Sequence, residues 1–173
     1  MDELQQAKQP VTALAGPYGH PFHPLLVTVP IGAWIASFGF DIASRVADEA
    51  DVFFKGAYWL IALGILGALA AALIGFLDLF AIPTGTKAFR TGLVHMALNL
   101  AVVTLFIVSF VVRRGDIDAP QEVGGGLIAL SAVTLALLGA SGWLGGKLSF
   151  RYGVRVASES VQADGFLDSK GAT

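Results

Sequence analysis

Four apolar stretches of about 20 residues each leave this 173-residue chain few folds to choose from. They run roughly over 25–44, 58–80, 92–112 and 124–145. About 20 residues of α-helix cross the ~30 Å hydrocarbon core of a bilayer. Inside lipid the backbone must satisfy its own hydrogen bonds, which leaves helices and closed barrels. A single such stretch is compatible with a buried helix of a soluble domain. Four in a chain with only 14% charged residues are not, because soluble domains carry about 25%. The sequence therefore predicts an all-α integral membrane protein, a four-helix bundle with short loops.

Residues 1–18 read as a polar, loose N-terminal tail, 19–156 as the transmembrane domain, and 157–173 as a polar C-terminal tail. The N-terminal residues lack the basic start, short apolar stretch and small-residue cleavage site of a signal peptide. Four spans place both ends on one side. That side carries Lys8, Lys87, Arg90, Lys147, Arg151, Arg155 and Lys170; the other carries Arg45, Lys55, Arg113 and Arg114. The positive-inside bias predicts cytoplasmic termini. A net charge of −2 without a basic cluster gives no reason to expect nucleic acid. The absence of cysteine excludes disulfides, thiolate-ligated haem, covalent c-type haem and Cys-held iron–sulfur clusters.

Histidine is scarce, and the topology brings all three to one face. Ionisable residues within membrane spans mark functional sites by default. His20 and His23 both precede proline in Gly19-His-Pro-Phe-His-Pro24. A residue before proline is driven toward extended geometry, and a polyproline II turn repeats every three residues. The two imidazoles are thus expected to point one way, with His23 capping the first span ahead of Pro24. His95 lies one turn into the third span, at the same depth. Asn99 follows on its helical face, and Asp78 closes the second span. Arg90 is expected to pair with Asp78, and Asp41 with Arg45, four residues on.

Imidazole is the commonest side-chain ligand for transition metals and haem iron. His95 with His20 or His23 suits the two axial positions of haem b. His20, His23, His95 and Asp78 together suit a mononuclear Zn, Fe or Cu ion. Asn99 or Asp78 would then orient a ligand's second nitrogen. The glycines of the second and fourth spans either let helices approach closely or make room for a flat macrocycle. Tyr58, Trp59 and Trp143 fit interfacial belts. Pro30 should kink the first span or mark its start. No internal repeat is evident. After the fourth span, 147–156 alternates polar and apolar, which predicts an extended surface segment covering the histidine face.

Three blocks also resemble a bacterial membrane family known as domain of unknown function 2231. They are Gly19-His-Pro-Phe-His-Pro-Leu-Leu-Val-Thr-Val-Pro-Ile-Gly-Ala-Trp34, Gly92-Leu-Val-His-Met-Ala-Leu-Asn99 and Gly142-Trp-Leu-Gly-Gly-Lys-Leu-Ser-Phe-Arg-Tyr-Gly-Val-Arg-Val156. His20, His23 and His95 fall inside these blocks. Some members are fused to a Rieske-type iron–sulfur domain, so the resemblance implies electron transfer with such a partner. The expectation is a small redox protein holding haem b or a metal. The alternative is a cofactor-free accessory or assembly subunit of a larger respiratory complex. Lipid is the expected surround, and the glycine-rich faces also allow a homo-oligomer.

Overall fold

A computed structural model describes residues 2–118 and 122–166. The elements are α1 (Glu3–Lys8), a 3-10 turn (Ala13–Ala15), α2 (His23–Leu26), α3 (Thr28–Ala43), α4 (Ala50–Ala81), α5 (Lys87–Arg114), α6 (Gly125–Gly146), a π-helical turn (Lys147–Arg151) and α7 (Glu159–Asp164). Among the described residues there is no strand. Four helical segments are long and apolar enough to cross a membrane: His23–Ala43, Ala50–Ala81, Lys87–Arg114 and Gly125–Arg151.

The first span breaks at Val27, between α2 and α3. Pro30 explains the position. It lacks the N–H that would bond the Leu26 carbonyl one turn back. The third span starts at a defined cap, where Thr86 accepts the Phe89 N–H at 3.0 Å. His23 is the first helical residue, with Phe22 at the N-cap. It is therefore helical rather than extended, because Pro24 in the first turn has no N–H to lose there.

Backbone neighbours run α3–α4, α4–α5, α5–α6 and α6–α3, so α3 and α5 stand diagonally across the bundle. They meet only through long side chains, and these pair at a constant offset. His23 faces His95, Trp34 stacks on Phe106, and Asp41 binds Arg113. Each pair is 72 residues apart in the chain. The first helices of the two hairpins are thus equivalent in register, a repeat carried by a few side chains at this offset. Parallel repeats about an axis along the membrane normal are one recurring membrane architecture.

Between the two ends lies the apolar core of Trp34, Ile61, Ala68, Val102 and Phe106. The Trp34 and Phe106 rings stack at 4.3 Å. Glycine serves this packing at particular points. A Cβ on Gly67 would lie 2.9 Å from Val29 Cγ1, and one on Gly64 would run into the Trp34 indole. The space at these glycines is filled by side chains of the first span. Trp59 and Trp143 point outward, as interfacial residues do, but Tyr58 does not. It is buried and stacks on Phe110 at 4.4 Å, because its helical face turns toward α5.

The ends of the described chain fold over the histidine face. The N-terminal segment is not a loose tail: Ala7 packs with Ile82, Leu148 and Val154. The alternating segment divides in two. Lys147–Arg151 continues the fourth span as a π-helical turn, closed by Tyr152 N to Lys147 O at 3.1 Å. Only the residues after it leave the helix. Period-two alternation cannot distinguish a strand-like segment from a helix end whose Leu148 happens to face inward. The end of the polar tail, 167–173, lies outside the described residues.

Candidate functional site

The second and fourth spans each offer the same pair of features to an imidazole from the diagonal helices. His23 Nδ1 lies 2.9 Å from the Ala71 carbonyl. His95 Nδ1 lies 2.8 Å from the Ser141 carbonyl. Four residues on from each carbonyl is a glycine, Gly75 and Gly145. A Cβ on Gly75 would sit 2.8 Å from His23 Cε1, and one on Gly145 would sit 3.2 Å from His95 Cε1. Each ring lies in a notch that only glycine leaves open.

A carbonyl only accepts, so each Nδ1 carries the proton. Each Nε2 then holds the lone pair, which is the atom a metal takes. The two ring centroids are 6.3 Å apart with an interplanar angle of 87°. His23 and His95 are the residues that would hold a metal or haem here, with Nε2 as the donor atom of each. Backbone carbonyls that orient ligating histidines through Nδ1–H are a common supporting arrangement.

The other expected participants sort differently. His20 is exposed, while its backbone N–H bonds the Pro17 carbonyl. Among the described residues no three His, Asp or Glu side chains form a metal-holding group. Asp78 is not paired with Arg90, which is exposed on α5. Its partner is Arg155, whose Nε lies 2.8 Å from Asp78 Oδ1, close but out of hydrogen-bond alignment. Asn99 touches Nε2 of His95, at 3.1 Å, rather than supporting Nδ1.

Sequence reasoning missed three features: the role of Ser141, the notches at Gly75 and Gly145, and Arg155. Ser141 supplies both its carbonyl and its hydroxyl, the latter 3.0 Å from His95 Nδ1. That hydroxyl is buried and also bonds the His95 carbonyl at 3.3 Å, so it is tied down rather than free to attack a substrate. Gly75 and Gly145 carry no signal among 21 glycines. Arg155 is the third. It adopts a φ of 59°, a region that costs a non-glycine residue about 1–3 kcal/mol. Its Nη2 donates to the carbonyls of Ala15 and Gly16, at 2.9 and 3.0 Å. Its backbone N–H donates to Ala7 O at 2.9 Å. One buried arginine thereby ties both terminal segments to the end of α4. Lys8 adds bonds to the carbonyls of Val156 and Ala157. The Ser158 N–H donates to the Tyr18 hydroxyl at 2.6 Å, which lowers the Tyr18 pKa below its ordinary value.

The opposite end of the bundle holds a second polar centre. Asp41 Oδ2 accepts from Arg113 Nη2 at 2.7 Å and from Ser131 at 3.2 Å. Both members of the ion pair are fully buried. Arg113 also donates to Ser109 at 3.2 Å. Arg45 is not the partner of Asp41. The helix ends at Ala43, so the four-residue spacing is lost. Arg45 instead reaches Glu122 at 3.6 Å and the Val123 carbonyl at 3.1 Å.

Residues 19–158 match the family model described as "Predicted membrane protein (DUF2231)". No curated protein and no solved structure matches the chain. The family match spans the four helices, all three histidines and Arg155, and the chain belongs to the DUF2231 family of predicted membrane proteins.

Proposed function

We propose that this chain is a small membrane redox protein that binds haem b, or a mononuclear transition metal, between His23 and His95. One observation carries the reading: two imidazoles at equivalent positions of a repeated hairpin, each with Nδ1 bound to a carbonyl, meet 6.3 Å apart. Two neutral imidazoles so arranged carry no charge to neutralise each other; the lone pair of His95 is shared with the Asn99 amide, while that of His23 has no donor among the described residues. A bound metal centre would supply one-electron chemistry there. The protein's own work is positional. The Ala71 and Ser141 carbonyls keep each ring in one tautomer, Gly75 and Gly145 admit the rings, and the Arg155 strap covers this end. His20 lies outside the ligand set, and Asp78 is committed to Arg155.

Electron exchange with a partner at this face suits a chain with little polar surface inside its spans. We place the termini in the cytoplasm of a bacterial cell on the charge bias. Because the chain lacks cysteine, single cysteines introduced at the exposed Gln5 and Arg114 report the two sides. The functional test is an absorption spectrum of detergent-purified protein, oxidised and then reduced with dithionite. Haem gives a Soret band with α and β bands that sharpen on reduction. Metal analysis of the same sample reads the mononuclear alternative.

A specific observation favours a second reading, an accessory subunit of a larger complex. Gly139 and Gly142 of α6 are exposed, and a Cβ on either would meet no atom within 4 Å. Small lipid-facing residues permit close helix docking. Gly142→Leu should then reduce co-purification with a partner, and unchanged co-purification counts against this reading. Gly67 does not share that role, since Val29 and Pro30 already fill its notch.

A further inference from the structure

The repeat is symmetric in how it holds the two rings and asymmetric in what it offers their free nitrogens. Asn99 lies four residues after His95, and its counterpart four residues after His23 is Val27. Asn99 Nδ2 is 2.9 Å from the His95 carbonyl and 3.1 Å from His95 Nε2. The carbonyl contact identifies that atom as the amide nitrogen, since two oxygens would repel. One amide hydrogen thus bonds the carbonyl and the other bonds the imidazole lone pair. Ser141 holds the opposite side of the same ring through Nδ1. Every polar position of His95 is therefore occupied by the protein. His23 has its Nδ1 held in the same way, and among the described residues its Nε2 has no hydrogen-bond donor. Valine at position 27 has none to offer.

We propose that Asn99 is a positioning residue that withholds His95 Nε2 from a metal centre, so that His23 is the standing ligand and His95 the exchangeable one. The proposal rests on the reading of His23 and His95 as ligands. It adds that the two are unequal, and that the difference resides in one side chain. For His95 to ligate, the Asn99 amide must give up its bond to Nε2. It can do so without losing its second bond, to the His95 carbonyl. The shared chemistry is a metal that accepts an imidazole lone pair, whether haem iron or a bare ion.

The test titrates Co2+, and separately haemin, into the detergent-purified full chain and its variants, reading affinity and absorption spectrum. Asn99→Val makes the second hairpin match the first. It should tighten binding roughly fivefold, the worth of one hydrogen bond, and shift the haemin spectrum toward six-coordinate, low-spin iron. Val27→Asn transfers the cap to His23 and should weaken binding by a similar factor. A merely structural role for Asn99 predicts neither the gain nor the reciprocal loss. Binding that depends on His23 and His95 but is unchanged in both variants overturns the role of Asn99 and leaves the ligand pair standing. Binding that survives His23→Ala and His95→Ala, or no binding of either probe, overturns both. Saturation by Co2+ without haemin uptake identifies a bare ion as the ligand; haemin uptake with the spectral shift identifies haem.

Discussion

The two ends of the bundle present the same geometric situation with opposite chemistry. At each end, residues 72 positions apart reach across the diagonal and meet. At one end they are Arg113 and Asp41, which neutralise each other at 2.7 Å and are sealed from solvent. At the other they are His23 and His95, which cannot neutralise each other, lie at the edge of the bundle, and are held by backbone carbonyls instead. The ion pair is complete in itself. Of the two imidazoles, His95 is satisfied on both nitrogens, by Ser141 and Asn99, while His23 is held only at Nδ1 among the described residues. That difference is why we place the ligand at the histidine end and not at the Asp41–Arg113 end.

The largest expected effect belongs to the ion pair. Arg113→Leu strands the Asp41 carboxylate in the bundle and should cost about 3–5 kcal/mol. Unfolding in mixed detergent measures it. The double variant Asp41→Leu with Arg113→Leu should recover most of that loss, since an apolar pair leaves no charge behind. Failure of the double variant to recover would mean that the pair does more than hold the helices. Arg155→Ala comes next. It removes the positive charge beside Asp78 and the donor to the Ala15 and Gly16 carbonyls, worth about 1.5–3 kcal/mol. It should also expose the N-terminal segment to limited proteolysis, while leaving the spans folded.

Gly75→Ala sharpens the comparison from the histidine side. Its Cβ would press on His23, and overpacking costs about 1–3 kcal/mol. Ligand binding should fall further than stability does. Gly145→Ala should act in the same direction but more weakly, because its contact with His95 is looser at 3.2 Å. The smallest effect is expected at the surface. Glu122→Ala breaks an exposed pair with Arg45 and should change stability by less than about 1 kcal/mol.

The spans were legible because hydrocarbon thickness dictates a run length that no soluble helix needs four times over. His23 and His95 were legible as neighbours because parity of the spans fixes depth. What holds them was hidden for a physical reason. Their partners are backbone carbonyls of Ala71 and Ser141, and a carbonyl leaves no trace in the residue type. Asp41 was assigned to Arg45 because local spacing outranks distant partners when only the sequence is in view. The signal that would have corrected it was present: an offset of 72 sets His on His, aromatic on aromatic, serine on serine at Ser37 and Ser109, and acid on base. Arg155 lies outside every apolar run, in a backbone conformation that residue type does not announce. His20 shares a motif and a proline with His23 but faces solvent, because only His23 is carried into the bundle by the helix that begins there.

The most direct test of the ligand pair is the haem and metal content of the purified chain beside its three single histidine-to-alanine variants. The account predicts loss of the bound group in His23→Ala, a weaker and spectrally altered group in His95→Ala, and full, unaltered retention in His20→Ala. A bound group that departs with His20, or that is untouched by removal of His23 and of His95, would contradict it.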